Sequence, residues 1–174
     1  MSAVPLSEIV GYLDEYLRIR EVPDERNAVN GLQVENQGLV GSIVAAVDAS
    51  QPTIDGVAAG RPGAEDAPPL LLVHHGLFWD GNVPLTGRRY RRVAALLEHD
   101  IALYSAHIPL DLHAVVGNNV VLAERLGLAV EPSILPRDSE TEKEPAIAFG
   151  EASRVQSNSA AKQSIAKKFA ASFS

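Results

Sequence analysis

The sequence contains no cysteine, which excludes disulfide bonds, thiolate zinc sites and a cysteine nucleophile. It also lacks an excess of positive charge, since 15 Lys and Arg stand against 22 Asp and Glu and give a formal net charge of −7. A chain with this charge has no overall attraction to nucleic-acid backbones or to anionic lipid. We therefore expect no nucleic-acid partner, and any bound metal must be held by nitrogen and oxygen atoms.

Long apolar runs are missing as well. No stretch approaches the ~18 consecutive apolar residues that a membrane span requires, and the first eight residues lack the basic and apolar regions of a signal peptide. The absence of cysteine agrees with a reducing compartment. We expect a soluble, cytoplasmic protein with no membrane partner.

What is present is enough apolar sequence for one globular domain, because 46% of the 174 residues are hydrophobic. Apolar residues at helical spacing predict an opening helix capped by Ser7, and Asn30-Gly31 predicts a turn before a short strand at 32–34. Three apolar runs then predict buried strands at residues 43–47, 70–73 and 101–106. Helices are predicted at 51–60, from Thr86 to about residue 99, and at 118–126.

This alternation of strands and helices indicates an α/β fold, with a mainly parallel sheet and helices on both of its faces. The pattern predicts a domain over residues 1–130. A segment rich in proline and charge predicts an exposed connection at 131–145, and an appended strand and helix are predicted within 146–174.

Polar side chains with metal-binding chemistry follow two of the predicted strands. His74 and His75 come directly after the strand at 70–73, while His107 and Asp111 follow the strand at 101–106. Ligands of open parallel sheets bind outside the carboxyl ends of the strands, so these residues are placed to form a site. Imidazole and carboxylate groups bind zinc, iron, manganese, nickel or cobalt. The plain alternative is a polar strand end beside an aspartate that serves a loop or a cap.

Other residues in this region leave alternatives open. His107 is a ligand, a base or a structural histidine, and His113 is better read as a surface residue. Asp48 either supports the site or caps the next helix. Phe78 and Trp79 either line a pocket or pack in the core. Four arginines of the predicted helix either attract a phosphate or form a solvated helix face, and the solvated face is favoured. They are Arg88, Arg89, Arg91 and Arg92.

Four short strings occur in an order and at distances typical of one family. They are Asn30-Gly31-Leu32-Gln33-Val34, Ala45-Ala46-Val47-Asp48-Ala49-Ser50, His74-His75-Gly76-Leu77-Phe78-Trp79 and Ala106-His107-Ile108-Pro109-Leu110-Asp111. Any one of them is a weak signal, whereas the ordered set is specific. Over about residues 6–127 the chain resembles the Nif3-like family, also labelled GTP cyclohydrolase 1 type 2 homologues.

The resemblance implies a centre of two divalent metal ions whose identity is unknown. His74, His75 and Asp111 match the family's metal ligands, and His107 matches a further histidine that we interpret as catalytic. Gly76 stands where the family often has proline, which we expect the loop to tolerate. No histidine follows His113, so the ligands that the family's second half supplies are not found, and we expect weak metal binding.

Two functions follow from this resemblance. The first is a metal-dependent, hydrolase-like protein that acts on a nucleotide or a phosphorylated small molecule. The alternative is a non-catalytic metal-binding or regulatory module. The family also resembles ring-shaped homo-oligomers. The predicted last helix carries an apolar face that needs covering, so we expect self-association.

Overall fold

The architecture is described from a computed structural model, which covers residues 3–60 and 67–128. The chain divides into two units, Met1–Asp111 and Leu112–Ser174. The connection expected at 131–145 and the strand and helix expected within 146–174 lie outside the described residues. Within the described ranges, no helix has the length and apolar character needed to cross a membrane.

The helices and strands follow the order that the apolar pattern predicts. In chain order they are β1 Val4–Pro5, α1 Leu6–Tyr16, β2 Gly31–Val34, β3 Leu39–Val40, β4 Ser42–Asp48, α2 Gln51–Ala59, β5 Pro69–His75, α3 Gly87–Glu98, β6 Ala102–Ser105, α4 Ile108–Asp111 and α5 Asn118–Leu126. All of them except α5 belong to the first unit, and α5 ends at Gly127, whose φ of 68° is favourable for glycine.

Four of the strands form a mixed sheet in the order β2-β6-β5-β4. Strands β4, β5 and β6 are mutually parallel, and β2 pairs with β6 in the antiparallel sense. The short strands β1 and β3 form a separate antiparallel pair. The predicted α/β fold with a mainly parallel sheet is therefore confirmed.

Two apolar clusters hold helices against the two faces of this sheet. On one face, Leu71, Val73 and Leu103 pack with buried residues of α2 and α3, including Ile54 and Leu96. On the other face, the apolar side of α1 covers a second group that includes Leu70, Ala102 and Tyr104. Because alternate residues of a strand point to opposite faces, β5 contributes to both clusters. Each fully buried leucine or isoleucine contributes about 1.5–3 kcal/mol.

The prediction that residues 43–47 form a buried strand is wrong about burial. The segment is the parallel strand β4, yet Ile43 is 53% exposed and Val47 is 63% exposed. It lies at the edge of the sheet, and the cluster under α1 draws on β5 and β6 but on no described residue of β4. An apolar run predicts a strand, but the sheet order decides how many neighbours the strand has.

The predicted cap of the first helix is also wrong. Helix α1 begins at Leu6 after Pro5, and no side chain caps it. Pro5 is paired with Leu39 in the two-stranded sheet, and the Leu6 amide donates to the carbonyl oxygen of Gly38 at 2.8 Å. This pairing sets the start of the helix one residue before Ser7. Thr86 does occupy the cap position of α3, although its hydroxyl makes no capping hydrogen bond.

Candidate metal centre

Three histidines meet where β5 and β6 end. His74 and His75 are the last two residues of β5, and His107 lies two residues beyond the end of β6. The strands are parallel neighbours, so their carboxyl ends coincide. The ring centroid of His74 lies 4.4 Å from that of His75 and 4.8 Å from that of His107. We refer to His74, His75 and His107 as the histidine cluster.

Each ring of the histidine cluster is held through Nδ1 by an oxygen acceptor. The acceptor for His74 is the carbonyl oxygen of Ala106 at 3.1 Å, and that for His75 is Asp48 Oδ1 at 2.8 Å. His107 Nδ1 lies 3.0 Å from Asp24 Oδ1. A carbonyl or carboxylate oxygen can only accept, so Nδ1 carries the proton in each neutral ring and Nε2 keeps its lone pair. Metal-binding histidines are commonly oriented in this way.

The spacing of the histidine cluster fits a metal ion. One nitrogen of each ring lies within 4.8 Å of one nitrogen of each of the other two rings. Zinc binds imidazole nitrogen at about 2.0–2.1 Å. A small inward movement would bring all three rings onto one ion. The described residues thus offer a neutral nitrogen donor set suited to the transition metals that the sequence indicated.

Asp111 adds a carboxylate to this group. It is the last residue of α4, and its Oδ2 lies 3.6 Å from Nε2 of His74. The turn is anchored because the Asp111 amide donates to the carbonyl oxygen of His107 at 3.1 Å. The residues that the sequence selected on two separate strand exits therefore lie together. His113 belongs to the second unit, where its Nδ1 accepts from the amides of Val115 and Val116.

Asp24 is part of the site and was missed by the sequence analysis. Its carboxylate accepts hydrogen bonds from Asn30 Nδ2 at 2.8 Å, from the Ile108 amide at 2.9 Å and from the Glu25 amide at 2.7 Å, besides that from His107. Burial alone raises the pKa of Asp24, but these hydrogen bonds together hold that pKa below its ordinary value. The side chain is therefore an ionised acceptor that orients His107.

Asn30 ties the same loop to the cluster. Its Oδ1 accepts from the His107 amide at 2.7 Å while its Nδ2 donates to Asp24. The preceding residue, Val29, has a φ of 46°, a left-handed conformation that is unfavourable for a β-branched side chain. No local signal in the sequence indicated this role, because Asp24 and Ile108 are 84 residues apart and Asn30 was noted only as a turn residue and as the first residue of a family string.

Gly76, which stands where the resemblance implies a frequent proline, lies against Gln33. The Gln33 carboxamide accepts from the Leu77 amide at 2.8 Å and donates to the carbonyl oxygens of Ala28 and Val29. A Cβ atom on residue 76 would overlap this carboxamide. Glycine thus allows Gln33 to link the loop after β5 to the segment that carries Asp24 and Asn30.

The two aromatic residues of this loop have different roles. Trp79 packs edge-on against His107, with ring centroids 4.7 Å apart, and lines a cavity of about 330 Å³ together with His75 and Asp48. Phe78 packs instead against the apolar cluster of α2 and α3. Of the alternatives left open by the sequence, Trp79 lines a pocket and Phe78 packs in the core.

Comparison with known proteins shows the family to which the chain belongs. The family model for Duf34/NIF3 (NGG1p interacting factor 3) matches residues 4–172, which extends beyond the region of resemblance recognised in the motifs. The chain is 50% identical over 122 residues to the GTP cyclohydrolase 1 type 2 homolog of Treponema pallidum, covering 70% of this chain and 41% of that protein. It is 44% identical over 135 residues to the protein of the same name from Pseudomonas aeruginosa, covering 77% and 50%.

Solved structures show the same fold. The structure of TTHA1606 from Thermus thermophilus is 42% identical, with a TM-score of 0.65 over 78% of this chain and 52% of that one. The protein ybgI, described as of unknown function, is 40% identical, with a TM-score of 0.64 over 74% and 49%. The chain spans about half the length of the relatives that it matches.

Proposed function

Because the chain belongs to the Duf34/NIF3 family, we propose that it is a metal-dependent, hydrolase-like protein that acts on a nucleotide or a phosphorylated small molecule. The observation that carries the proposal is the common orientation of three imidazole rings, each held through Nδ1 so that Nε2 is left for a metal. The relatives' shared name, GTP cyclohydrolase 1 type 2 homolog, supports a nucleotide as one substrate class.

In this proposal His74, His75 and Asp111 are metal ligands, as the motifs implied. His107 joins them as a ligand instead of acting as a catalytic residue, because Asp24 orients its ring in the way that Asp48 orients His75. A divalent ion bound there would supply an activated water and polarise the target bond. The protein's own part is to fix the rings through Nδ1, so that Nε2 is the nitrogen left for a metal, and to offer Trp79 as one wall of the substrate cavity.

Metal binding is tested with His75→Ala, since His75 is partly exposed and its loss should leave the fold intact. The matched control is His99→Ala, at the end of α3 and outside the histidine cluster. Zinc, manganese, iron, nickel and cobalt are each titrated by calorimetry, and retained metal is counted after dialysis. We expect His75→Ala to lose more than the roughly 10–100-fold in affinity that removal of an outer partner costs, and His99→Ala to match the unmodified protein.

Activity is then measured with nucleotides and phosphate esters on the loaded protein. Metal-dependent turnover that disappears in His75→Ala supports the hydrolase-like function. Metal binding without turnover favours the non-catalytic alternative, and equal metal affinity in both variants contradicts the assigned ligands. The cytoplasmic location, the weak binding expected from the motifs and the homo-oligomeric state remain predictions.

A further inference from the structure

The cavity beside the histidine cluster is large enough for a small ligand group. Its volume of about 330 Å³ lies at the lower end of the range of about 300–1,000 Å³ for small-molecule sites. One wall is formed by His75 and Asp48, so the cavity is continuous with the candidate metal centre. The lining also includes Arg88 and Arg92 of α3 and Trp79 of the loop after β5.

The four arginines of α3 have different environments. Arg89 donates to the carbonyl oxygens of Gly81 and Val83, and its guanidinium lies 5.1 Å from the centre of the Phe78 ring. It therefore holds the loop between β5 and α3. Arg91 is exposed and does not line the cavity. Arg88 and Arg92 do line it, because residues four apart share one face of a helix.

Two residues that line this cavity each carry a buried nitrogen donor for which the described residues offer no hydrogen-bond partner. The Nε atom of Arg92 and the Nε1 atom of Trp79 are both shielded from solvent and have no hydrogen-bond partner within the part of the chain that the structure describes. A buried donor without an acceptor costs about 1–3 kcal/mol, and more when the group is charged. An oxyanion in the cavity would offer acceptor oxygens to the guanidinium group of Arg92, which lines it. Arginine is well suited to such a ligand, because its planar group binds an oxyanion through two parallel hydrogen bonds.

Two carboxylates also line the cavity, but each has a cationic or donor partner. Asp48 accepts from His75 Nδ1 at 2.8 Å, and Asp80 lies 3.5 Å from Arg88. The Arg88–Asp80 pair is exposed on both sides, and such pairs contribute less than about 1 kcal/mol. An anion can therefore displace Asp80 from Arg88 at little cost. The first turn of α2 adds to the attraction, since Ala49 and Ser50 at its positive end face the same space.

We propose that this cavity binds the phosphate group of the substrate, with Arg92 as the main anchor and Arg88 as a second cation. The inference rests on the proposed function in one respect, namely that the bond to be hydrolysed lies at the histidine cluster. Within the substrate class already proposed, it adds the position of the phosphate group, which enters the cavity beside His75. The phosphate is a recognition group in this arrangement, and no bond to it is broken.

The single tryptophan of the chain makes the test direct, since Trp79 is part of the cavity wall. Inorganic phosphate is titrated into the metal-free protein at constant ionic strength, and tryptophan fluorescence is recorded, with ³¹P line broadening as a second measurement. We expect saturable binding that Arg92→Gln weakens roughly tenfold or more, because a charged hydrogen-bonding group is lost. Arg91→Gln, which removes the same charge from the same helix, should bind as the unmodified protein does.

Further variants separate this proposal from the proposed function. Arg92→Lys keeps the charge without the planar group, so it should fold and fall between the other two in phosphate affinity. His74→Ala should lose metal but keep phosphate binding, because His74 does not line the cavity. Phosphate affinity that is equal in Arg92→Gln and Arg91→Gln would overturn the subsite. Failure of the unmodified protein to bind phosphate, with its metal binding intact, would do so as well and would leave the metal centre standing.

Discussion

The site contains two histidines that are each held by an aspartate, and the two pairs lie in different surroundings. In the pair of His107 with Asp24, the aspartate side chain is 5% exposed and accepts four hydrogen bonds. In the pair of His75 with Asp48, the aspartate side chain is 61% exposed and accepts a hydrogen bond from the histidine. The chemical groups are the same, but the first pair is part of the fold and the second is an adjustable partner of one ring.

The difference follows from where each aspartate lies. Asp24 lies in the long connection between α1 and β2, where it accepts a hydrogen bond from Asn30. It also joins this connection to the start of α4 at Ile108. Asp48 ends β4, the edge strand of the sheet, so solvent reaches it from the open side. A carboxylate that joins two distant segments supports the structure, whereas one at an edge affects mainly the residue it touches.

The largest expected effect is on stability. Asp24→Ala leaves the donors of Asn30, His107 and Ile108 without their acceptor, and we expect a loss of about 3 kcal/mol or more in the free energy of unfolding. Asp48→Ala should cost less than about 1 kcal/mol. Urea denaturation of the two metal-free variants measures both values. Similar losses in the two variants would remove the distinction between the pairs.

A smaller effect is expected on metal affinity. The hydrogen bond to Asp48 orients His75 and raises the basicity of its ring. Asp48→Asn keeps the size of the side chain but weakens this hydrogen bond, so metal affinity should fall by roughly tenfold. Its unfolding free energy should stay within about 0.5 kcal/mol of that of the unmodified protein. Calorimetric metal titration and urea denaturation on the same preparations give the two numbers. An unchanged affinity would show that Asp48 does not act through His75.

The smallest effect concerns acid stability. The pKa of Asp24 is lower in the folded protein than its ordinary value, so the folded state favours the ionised form. The resulting stabilisation is fully present above the unfolded pKa of about 3.9 and is lost as the pH falls through the lower folded value. The metal-free protein should therefore lose stability over this acid range more steeply than Asp24→Asn. The free energy of unfolding is measured by denaturation at several pH values. The same decrease for both proteins as the pH falls from 5 would contradict the role of Asp24.

Much of the fold was accessible from local patterns. The helices at Gln51–Ala59 and Gly87–Glu98 and the strands around Leu70 and Ala102 were predicted close to their observed bounds, because periodicity and caps act over a few residues. Burial was less accessible. The apolar runs of β4 and β5 look alike in sequence, yet one is exposed at an edge and the other is central, because the order of strands depends on pairings between distant residues.

The candidate site divides in the same way. The grouping of His74, His75, His107 and Asp111 was predictable, since residues that leave neighbouring parallel strands meet at one edge of a sheet. Asp24 was not predictable, because its partners at Ile108 and His107 are brought to it by the tertiary fold. The arginines of α3 were also indistinguishable in sequence, and only the packing of the helix separates Arg92 at the cavity from Arg91 in solvent.

The sequence by itself determined the α/β class, the family and the donor atoms available to a metal. These depend on residue type, local periodicity and motif order, all of which are written along the chain. The tertiary structure alone decided which nitrogen of each histidine is hydrogen-bonded, which carboxylates hold the rings and which arginines line the adjoining cavity. The physical reason is that hydrogen bonds and burial act over a few ångströms in space, while Asp24 and Ile108, which are hydrogen-bonded, are 84 positions apart in sequence.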